Sequence, residues 1–319
     1  MDFGLHLGTR GAAADPDNLA RIAQHAEAAG FAYLGFSDHV IITRAVASKY
    51  PYNESGDWPA VESGFCLEQL SCMAYAAAVT KQIRLLTSVM VLPHRPPILT
   101  AKTVATIDIL SKGRVTLGVG VGWNREEIDA IDSAPPFDRR GAASNEYVQA
   151  FRTMWTESVP VYTGEFVKID NIKFEPKPTQ RPGPPIWIGG EGLVARKRVA
   201  ALGDGWYPTI RNPKERLDDP ARFAAALADV HTHVRAAGRD PATIDVAMFA
   251  PNYSLGEAQK APSGARLTFT GSADEIAGDV RAFRDAGARH INIGFESGDL
   301  DEVLRKIDGF VADVIPKVG

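Results

Sequence analysis

Two adjacent polar residues, Asp38 and His39, end the short apolar run "YLGFSDH" (33–39), which has the composition of a buried strand. Histidine is the side chain that exchanges protons most readily near neutral pH, and a nearby carboxylate can set its charge and orientation. The pattern predicts that His39 is catalytic, as a hydrogen-bond or proton donor, and that Asp38 sets the polarity around it. His6 and His94 also stand near strand ends and could face the same site.

Three glycines alternate in the run "RVTLGVGVG" (114–122), at Gly118, Gly120 and Gly122. Residues two apart in a strand share a face, so the glycines occupy one face and the bulky apolar residues occupy the other. The dinucleotide fingerprint GxGxxG is excluded, because the third glycine is missing in either register and the run does not belong to the first strand. The pattern predicts a face without side chains against which a planar ring can lie; tight packing in a sheet is the alternative.

A second glycine-rich stretch, "PIWIGGEG", places Gly189, Gly190, Glu191 and Gly192 between an apolar run and an Ala-rich segment. A turn from a strand into a helix presents free backbone amides, which can hold a phosphate. Basic residues at 196–198 could add positive charge. A plain tight turn is the alternative.

Eight short apolar runs alternate with longer amphipathic segments along the whole chain, the order expected of a (β/α)8 TIM barrel or of a doubly wound sheet. A last strand near the carboxyl end, followed by one more helix, favours the closed barrel, as one domain over residues 1–319. Three segments are additional to the strands and helices of a minimal barrel. Residues 40–64 and 251–268 are candidate lids, and residues 158–183 alternate like a short β-ribbon. The candidate strands are 2–8, 33–39, 84–92, 114–122, 185–190, 205–209, 244–251 and 290–295.

Composition narrows the class of partner. The chain has 319 residues, and 45% of them are hydrophobic, which is enough for a packed enzyme core. Its net charge of -4 gives no basic surface that would bind nucleic acid or an anionic membrane. A small-molecule substrate is expected instead. The first residues read as a strand, with no signal peptide, so we expect a cytoplasmic protein. Cys66 and Cys72 have no metal-ligand spacing and are expected to be core thiols, and no metal site is predicted.

Taken together, several segments in this order resemble the bacterial-luciferase-like superfamily, in particular its deazaflavin (coenzyme F420)-dependent oxidoreductases. The segments include "FSDHV", "LLTSVMVLPHRPP", "SKGRVTLGVGVGWNREE", "PKPTQRPGPPIWIGG" and "TGSADEIAGDVRAFRDAGARHINIGF". The resemblance implies a TIM barrel whose mouth holds an isoalloxazine-like ring, with a cis peptide and bulge at Ser88-Val89. It implies that the coenzyme is bound by Ser88, Val89, Gly120, Gly122, Trp123, Gly189, Gly190, Glu191 and Gly192.

The resemblance fails at one informative position. Related deazaflavin sugar-phosphate dehydrogenases carry a proton-transferring glutamate where this chain has Trp123. That argues against the sugar-phosphate reaction and leaves the general acid open. Glu126 and Glu127 follow on a predicted helix, and neither is expected to be catalytic. Arg140 and Glu146 are expected to form a structural ion pair.

The resulting functional prediction is a hydride-transferring oxidoreductase that uses coenzyme F420 on an unidentified small organic substrate. The alternatives are a luciferase-like monooxygenase that uses reduced FMN and a non-catalytic flavin-binding protein. A homodimer is expected by analogy with the family.

Overall fold

Eight parallel strands close into a barrel in the computed structural model, which describes residues 1–319 except the side chain of Pro59. The last strand returns to pair with the first, with His290 opposite Asp2, so the doubly wound alternative is excluded and the (β/α)8 barrel is confirmed. The strands are β1 Asp2–His6, β2 Tyr33–Phe36, β3 Arg84–Val91, β4 Val115–Gly120, β5 Ile186–Gly189, β6 Gly205–Tyr207, β7 Asp245–Ala250 and β8 His290–Gly294.

Helices surround the barrel and begin where the sequence supplies caps. The Asp15 carboxylate accepts from the amides of Asp17 and Asn18 at the start of α1, and Ser272 and Glu275 form a capping box at α8. The helices are α1 Pro16–Ala28, α2 Gln69–Val79, α3 Pro97–Leu110, α4 Arg125–Asp129, α5 Arg140–Thr156, α6 Leu193–Leu202, α7 Pro220–Ala236, α8 Ala273–Asp285 and α9 Leu300–Gly309.

Two apolar layers hold the fold together. Outward residues of the strands, such as Leu85 and Leu117, are buried against the helices in the main core. A smaller cluster fills the barrel interior, formed by Tyr33, Leu86, Trp187, Tyr207 and Ala247. Because the interior is packed with large side chains, the open end of the barrel is the place where a ligand can bind.

Gly118 and Gly120 share the face of β4 that turns towards the barrel interior, and Gly122 follows the strand; each glycine has a different physical reason. A Cβ on Gly118 would lie 2.2 Å from the Thr87 carbonyl oxygen, so packing of the wall requires this glycine. A Cβ on Gly120 would meet only the side chain of Val89, at 2.8 Å. Gly122 has φ +80°, a left-handed conformation that glycine adopts without strain where the chain leaves the strand.

The inserted segments lie beyond the strands. The predicted ribbon is present, with Tyr162–Thr163 antiparallel to Lys168–Ile169. The Glu146 carboxylate accepts from three amides of the ribbon turn at residues 165–167, while Arg140 donates to the carbonyls of Gly122 and Phe137. The predicted Arg140–Glu146 ion pair is therefore wrong, because backbone groups take both side chains.

Among the described residues, no helix combines the length and the apolar character needed to cross a membrane.

Candidate functional site

A buried carboxylate holds His39 at the mouth of the barrel. The side chain of Glu127, which is 1% exposed, lies with Oε2 2.8 Å from His39 Nδ1. Its other oxygen accepts from the amides of Val40 and Ile41. Because a carboxylate only accepts, His39 Nδ1 carries the proton, and Nε2 is left free on a side chain that is 19% exposed. The pair can therefore donate or accept one proton at Nε2.

The contact of Glu127 with His39 was not predicted from the sequence, where Glu127 was expected to have no catalytic role. Helix α4 is only five residues long, and the Asn124 side chain caps it by accepting from the Glu127 amide. This short helix starts directly after the glycine strand, so its third residue turns back over the barrel mouth. An acidic residue in the first turn of a helix that begins at this end of a barrel is the signal that could have found it.

A second layer of charge lies beneath the pair. Asp38 is buried and receives two hydrogen bonds from the Arg95 guanidinium, at 2.8 and 2.7 Å, and one from the Val91 amide. Burial acts to raise the pKa of Asp38, but the Arg95 charge and hydrogen bonds, together with His94 and the Val91 amide, hold this pKa below its ordinary value. The carboxylate is thus fully engaged within the protein. We assign Asp38 a positioning role, fixing the chain that carries His39.

His94 lies between the two carboxylates. Its Nε2 is 3.8 Å from Glu127 Oε2 and its Nδ1 is 4.0 Å from Asp38 Oδ2. Burial lowers the pKa of His94 in spite of these neighbouring negative charges, so the ring is neutral at pH 7. His94 is therefore a buried neighbour of the His39–Glu127 pair, and its contact with solvent is too small for it to reach a substrate directly.

Replacing Arg95 with alanine is expected to lower the free energy of unfolding by about 3–5 kcal/mol, because it leaves the Asp38 charge buried without its partner. The matched control is Arg139→Ala, which removes an ion pair to Glu165 whose side chains are 50% and 57% exposed and should cost about 1 kcal/mol or less. Urea denaturation measures both. Since the folded pKa of Asp38 is depressed, the contribution of this pair is present above about pH 3.9 and is lost as the pH falls further. Equal losses in the two variants would contradict this account.

Residues Ser88 and Val89 form the bulge predicted for β3. Their peptide bond is cis, and the register between β3 and β4 shifts between Thr87 and Met90. The Val89 side chain occupies the space beside two glycines: a Cβ on Gly120 would lie 2.8 Å from it and a Cβ on Gly189 3.0 Å. The expected bare stripe is thus filled by one isopropyl group. The glycines of β4 and β5 make room for Val89, and Val89 presents the apolar surface to the mouth.

The turn from β5 into α6 has the form of an anion site. Gly190 has φ +113°, and Gly192 caps α6 without a side-chain hydrogen bond to its amides. Glu191 points away from the turn, accepting from the Thr209 amide and Asn212, and burial raises its pKa. Among the described residues the helix start therefore keeps amides that no side chain caps, while the Glu191 side chain holds the following loop in place.

Two guanidinium groups approach this part of the mouth. Arg198 donates to Asn145 Oδ1 at 2.6 Å, and both its burial and the charge of Arg140 lower its pKa. Arg140 is bound by backbone carbonyls, and within the described residues neither arginine forms an ion pair with a carboxylate. Arg196, by contrast, is held by Asp229 and Glu215. Of the basic residues considered from the sequence at 196–198, Arg196 is neutralised by carboxylates, whereas Arg198 has no carboxylate partner among the described residues and donates to Asn145.

The opposite side of the mouth carries His6. Its Nε2 lies 3.1 Å from Glu296 Oε1, and its ring packs 4.5 Å from that of Phe249. Burial acts to raise the pKa of Glu296, but the hydrogen bond to His6 and the charges of His6, Arg10 and Lys306 together lower it. Trp123 stands between the two sides, directly after the glycine strand, and packs on aromatic residues of the 40–64 insertion. The described residues contain no cluster of three or more side chains that could hold a metal ion.

Comparisons with known proteins agree with this architecture. The profile of the luciferase-like monooxygenase family matches residues 1–269. An uncharacterized protein of Mycobacterium tuberculosis (strain ATCC 25618 / H37Rv) is 34% identical over 284 residues, covering 89% of this chain and 96% of the relative. An FMNH(2)-dependent dimethylsulfone monooxygenase of Pseudomonas fluorescens (strain Pf0-1) is 30% identical over 215 residues, covering 66% and 53%.

Among solved structures, the coenzyme F420 dependent tetrahydromethanopterin reductase from Methanopyrus kandleri superposes with a TM-score of 0.75 at 17% identity, covering 100% of this chain and 99% of the other. Relatives of both coenzyme types thus share the barrel, the family profile spans most of the sequence, and one relative matches over nearly its whole length. The chain belongs to the luciferase-like monooxygenase family.

Proposed function

We propose that the protein is an oxidoreductase that transfers a hydride between coenzyme F420 and a small organic substrate. The observation that carries the proposal is the His39–Glu127 pair, whose free Nε2 lies at the open end of the barrel together with the Val89 surface. A hydride transfer to an organic acceptor also requires a proton, and a histidine held by a buried carboxylate can supply it.

The residues of the mouth fit a flavin-like group. A tricyclic ring needs a flat apolar support, which Val89 supplies over Gly120 and Gly189. The phosphate of its side chain needs positive charge and free amides, which Arg140, Arg198 and the start of α6 supply. When bound, the deazaflavin supplies the two-electron hydride chemistry.

In this proposal the protein binds and orients the coenzyme and supplies a proton to the substrate. Val89 would support the ring of the coenzyme, and the α6 turn would hold its phosphate. His39 Nε2 holds or delivers the proton, and Glu127 keeps its tautomer and stabilises the imidazolium when it forms. Asp38 and Arg95 position the loop that carries His39, so the proton donor keeps its place relative to the bound ring.

A monooxygenase that uses reduced FMN is the second candidate. It is supported by the dimethylsulfone monooxygenase relative, whose identity of 30% extends over two thirds of this chain. The ring, the phosphate site and the proton donor would be the same. The two candidates differ in the oxidant, since a monooxygenase consumes molecular oxygen and inserts one of its atoms into the substrate.

Oxygen uptake during turnover separates the two. With reduced F420 and a substrate that is turned over, we expect the same rate in air and under nitrogen and no stoichiometric oxygen consumption. Turnover that needs oxygen, with one oxygen molecule consumed for each substrate and an oxygen atom from labelled gas in the product, would replace the F420 proposal by the FMN one.

A further inference from the structure

An aromatic wall stands over the mouth, formed by Tyr50, Tyr52 and Trp58 of the 40–64 insertion and by Trp123 after β4. Ring centroids are 5.4 Å apart for Tyr50–Tyr52, 5.3 Å for Tyr50–Trp123 and 5.3 Å for Trp58–Trp123, with interplanar angles of 84°, 75° and 88°. Trp58 is 8% exposed and packs against Trp123, whereas Tyr50, Tyr52 and Trp123 are only partly buried and can receive a further ring. The wall touches the proton donor directly, since the rings of Trp58 and His39 are 4.4 Å apart.

The polar atoms of the aromatic wall are not used by the protein. Several hydroxyls and indoles outside the wall are hydrogen bonded within the protein, while the Tyr253 hydroxyl is buried without a partner. The hydrogen-bonded ones belong to Tyr75, Tyr162, Tyr207, Trp155, Trp187 and Trp206. Within the described residues, the two hydroxyls and two indole N–H groups of the aromatic wall have no such partner. Burial raises the pKa of Tyr50 and of Tyr52, so both hydroxyls remain protonated donors. The wall therefore offers four donors to an incoming molecule.

A cavity of about 280 Å³ adjoins the wall. Tyr52 lines it together with Arg211, Asn252 and Leu267, so it lies between the 40–64 and 251–268 insertions. This volume suits a small molecule rather than a polymer. The cavity is continuous with the aromatic wall through Tyr52, which contacts Tyr50.

The charges near the wall favour acceptors over cations. Arg10 and Arg211 act on the Tyr50 hydroxyl together with a single carboxylate, Glu296. Glu296 is itself bound to His6. Asp218, which lines the cavity, is paired with Arg216. Glu54 and Arg211 also line the cavity and form no ion pair among the described residues, so an oxygen acceptor would meet Arg211 together with the free donors of the wall.

We propose that the aromatic wall binds the substrate, and that this substrate is a planar aromatic or conjugated compound carrying oxygen acceptors such as carbonyl groups. The proposal rests on the proposed function for the assignment of the bound molecule as substrate. Stacking on Trp123 would place such a compound beside Trp58, which contacts His39, while Tyr50 and Tyr52 would donate to its oxygens. The wall thereby determines substrate class, and the cavity beyond Tyr52 accommodates the substituents.

Isothermal titration calorimetry tests this with coumarin as the probe, on the coenzyme-free protein and on the protein loaded with whichever of F420 and FMN it binds. We expect coumarin to bind about tenfold more tightly than octahydrocoumarin, which keeps the lactone but is not planar, and than naphthalene, which is planar but has no acceptor. Tyr52→Phe and Tyr50→Phe are each expected to weaken coumarin binding about fivefold, because each keeps the ring and removes one donor. Trp123→Leu should weaken it about tenfold. The control Tyr75→Phe, an exposed tyrosine that donates to Pro16 O, should bind as the unaltered protein does.

Equal binding of coumarin and octahydrocoumarin, or unchanged affinity in both tyrosine variants with circular dichroism showing a folded protein, would overturn the proposal. Tighter binding of tetramethylammonium than of coumarin would also overturn it, in favour of a cation site. Failure of the coenzyme proposal alone would look different: coumarin binding would persist, with its dependence on Tyr50 and Tyr52, while F420 would not bind.

Discussion

Replacing His39 with alanine lowers turnover by about two orders of magnitude or more while coenzyme affinity stays within about twofold; this is the expected result if His39 is the proton donor. The imidazole approaches Glu127 to 2.8 Å and presents only Nε2 to the mouth. Its removal takes away the proton transfer without touching the Val89 surface or the α6 turn. Steady-state kinetics gives the loss in kcat, and a fluorescence titration gives the coenzyme affinity.

The control for this change is His25→Ala, which removes another histidine paired with a carboxylate, Asp308, on the exposed surface. It should leave both quantities unchanged. A His39→Ala enzyme that keeps its kcat would exclude a catalytic role for this residue. A variant that loses coenzyme affinity by the same factor as kcat would show that His39 binds the ring instead.

The second large effect is expected for Gly120→Val, which should weaken coenzyme binding about a hundredfold or more. A Cβ at this position already lies 2.8 Å from Val89 Cγ2, so the new side chain must push Val89 away from β4 and into the space of the ring. Overpacking of this kind costs about 1–3 kcal/mol of stability, which a domain of this size tolerates. The effect should therefore appear in binding before it appears in folding.

Fluorescence titration of the coenzyme measures the loss of affinity, and thermal unfolding checks the fold. The matched control is Gly298→Val, since a Cβ at Gly298 meets no atom within 4 Å, and it should change neither quantity. Unchanged coenzyme affinity in a folded Gly120→Val protein would mean that the ring does not lie against Val89.

The barrel could be predicted from the sequence because its signals are local. Each strand is a short apolar run, and helices such as α1 carry their own caps, as at Asp15. That the glycines share one face of this strand followed from the two-residue period alone. The ribbon at 162–169 was predicted in the same way, from alternation.

The site required contacts that the sequence does not encode locally. Glu127 meets His39 across 88 positions, and Arg95 reaches Asp38 across 57. Neither contact can be predicted from the spacing of residues in the sequence, because both contacts depend on how loops after different strands converge at one end of the barrel. The role of Val89 could not be predicted for the same reason. The alternation of glycines predicted an empty face, but the Val89 side chain, on the bulge of the neighbouring strand, fills that face. The predicted coenzyme contacts at 88–89, 120–123 and 189–192 remain predictions until a ligand is bound.

The central claim is that this barrel mouth binds a deazaflavin, and titrating the purified protein with coenzyme F420 and with FMN side by side tests it most directly. Fluorescence of each coenzyme reports binding, and the Gly120→Val variant reports whether binding occurs at the Val89 surface. The account predicts tight, saturable binding of F420, weaker binding of FMN and loss of the F420 signal in the variant. Tight binding of FMN with no binding of F420 would contradict it.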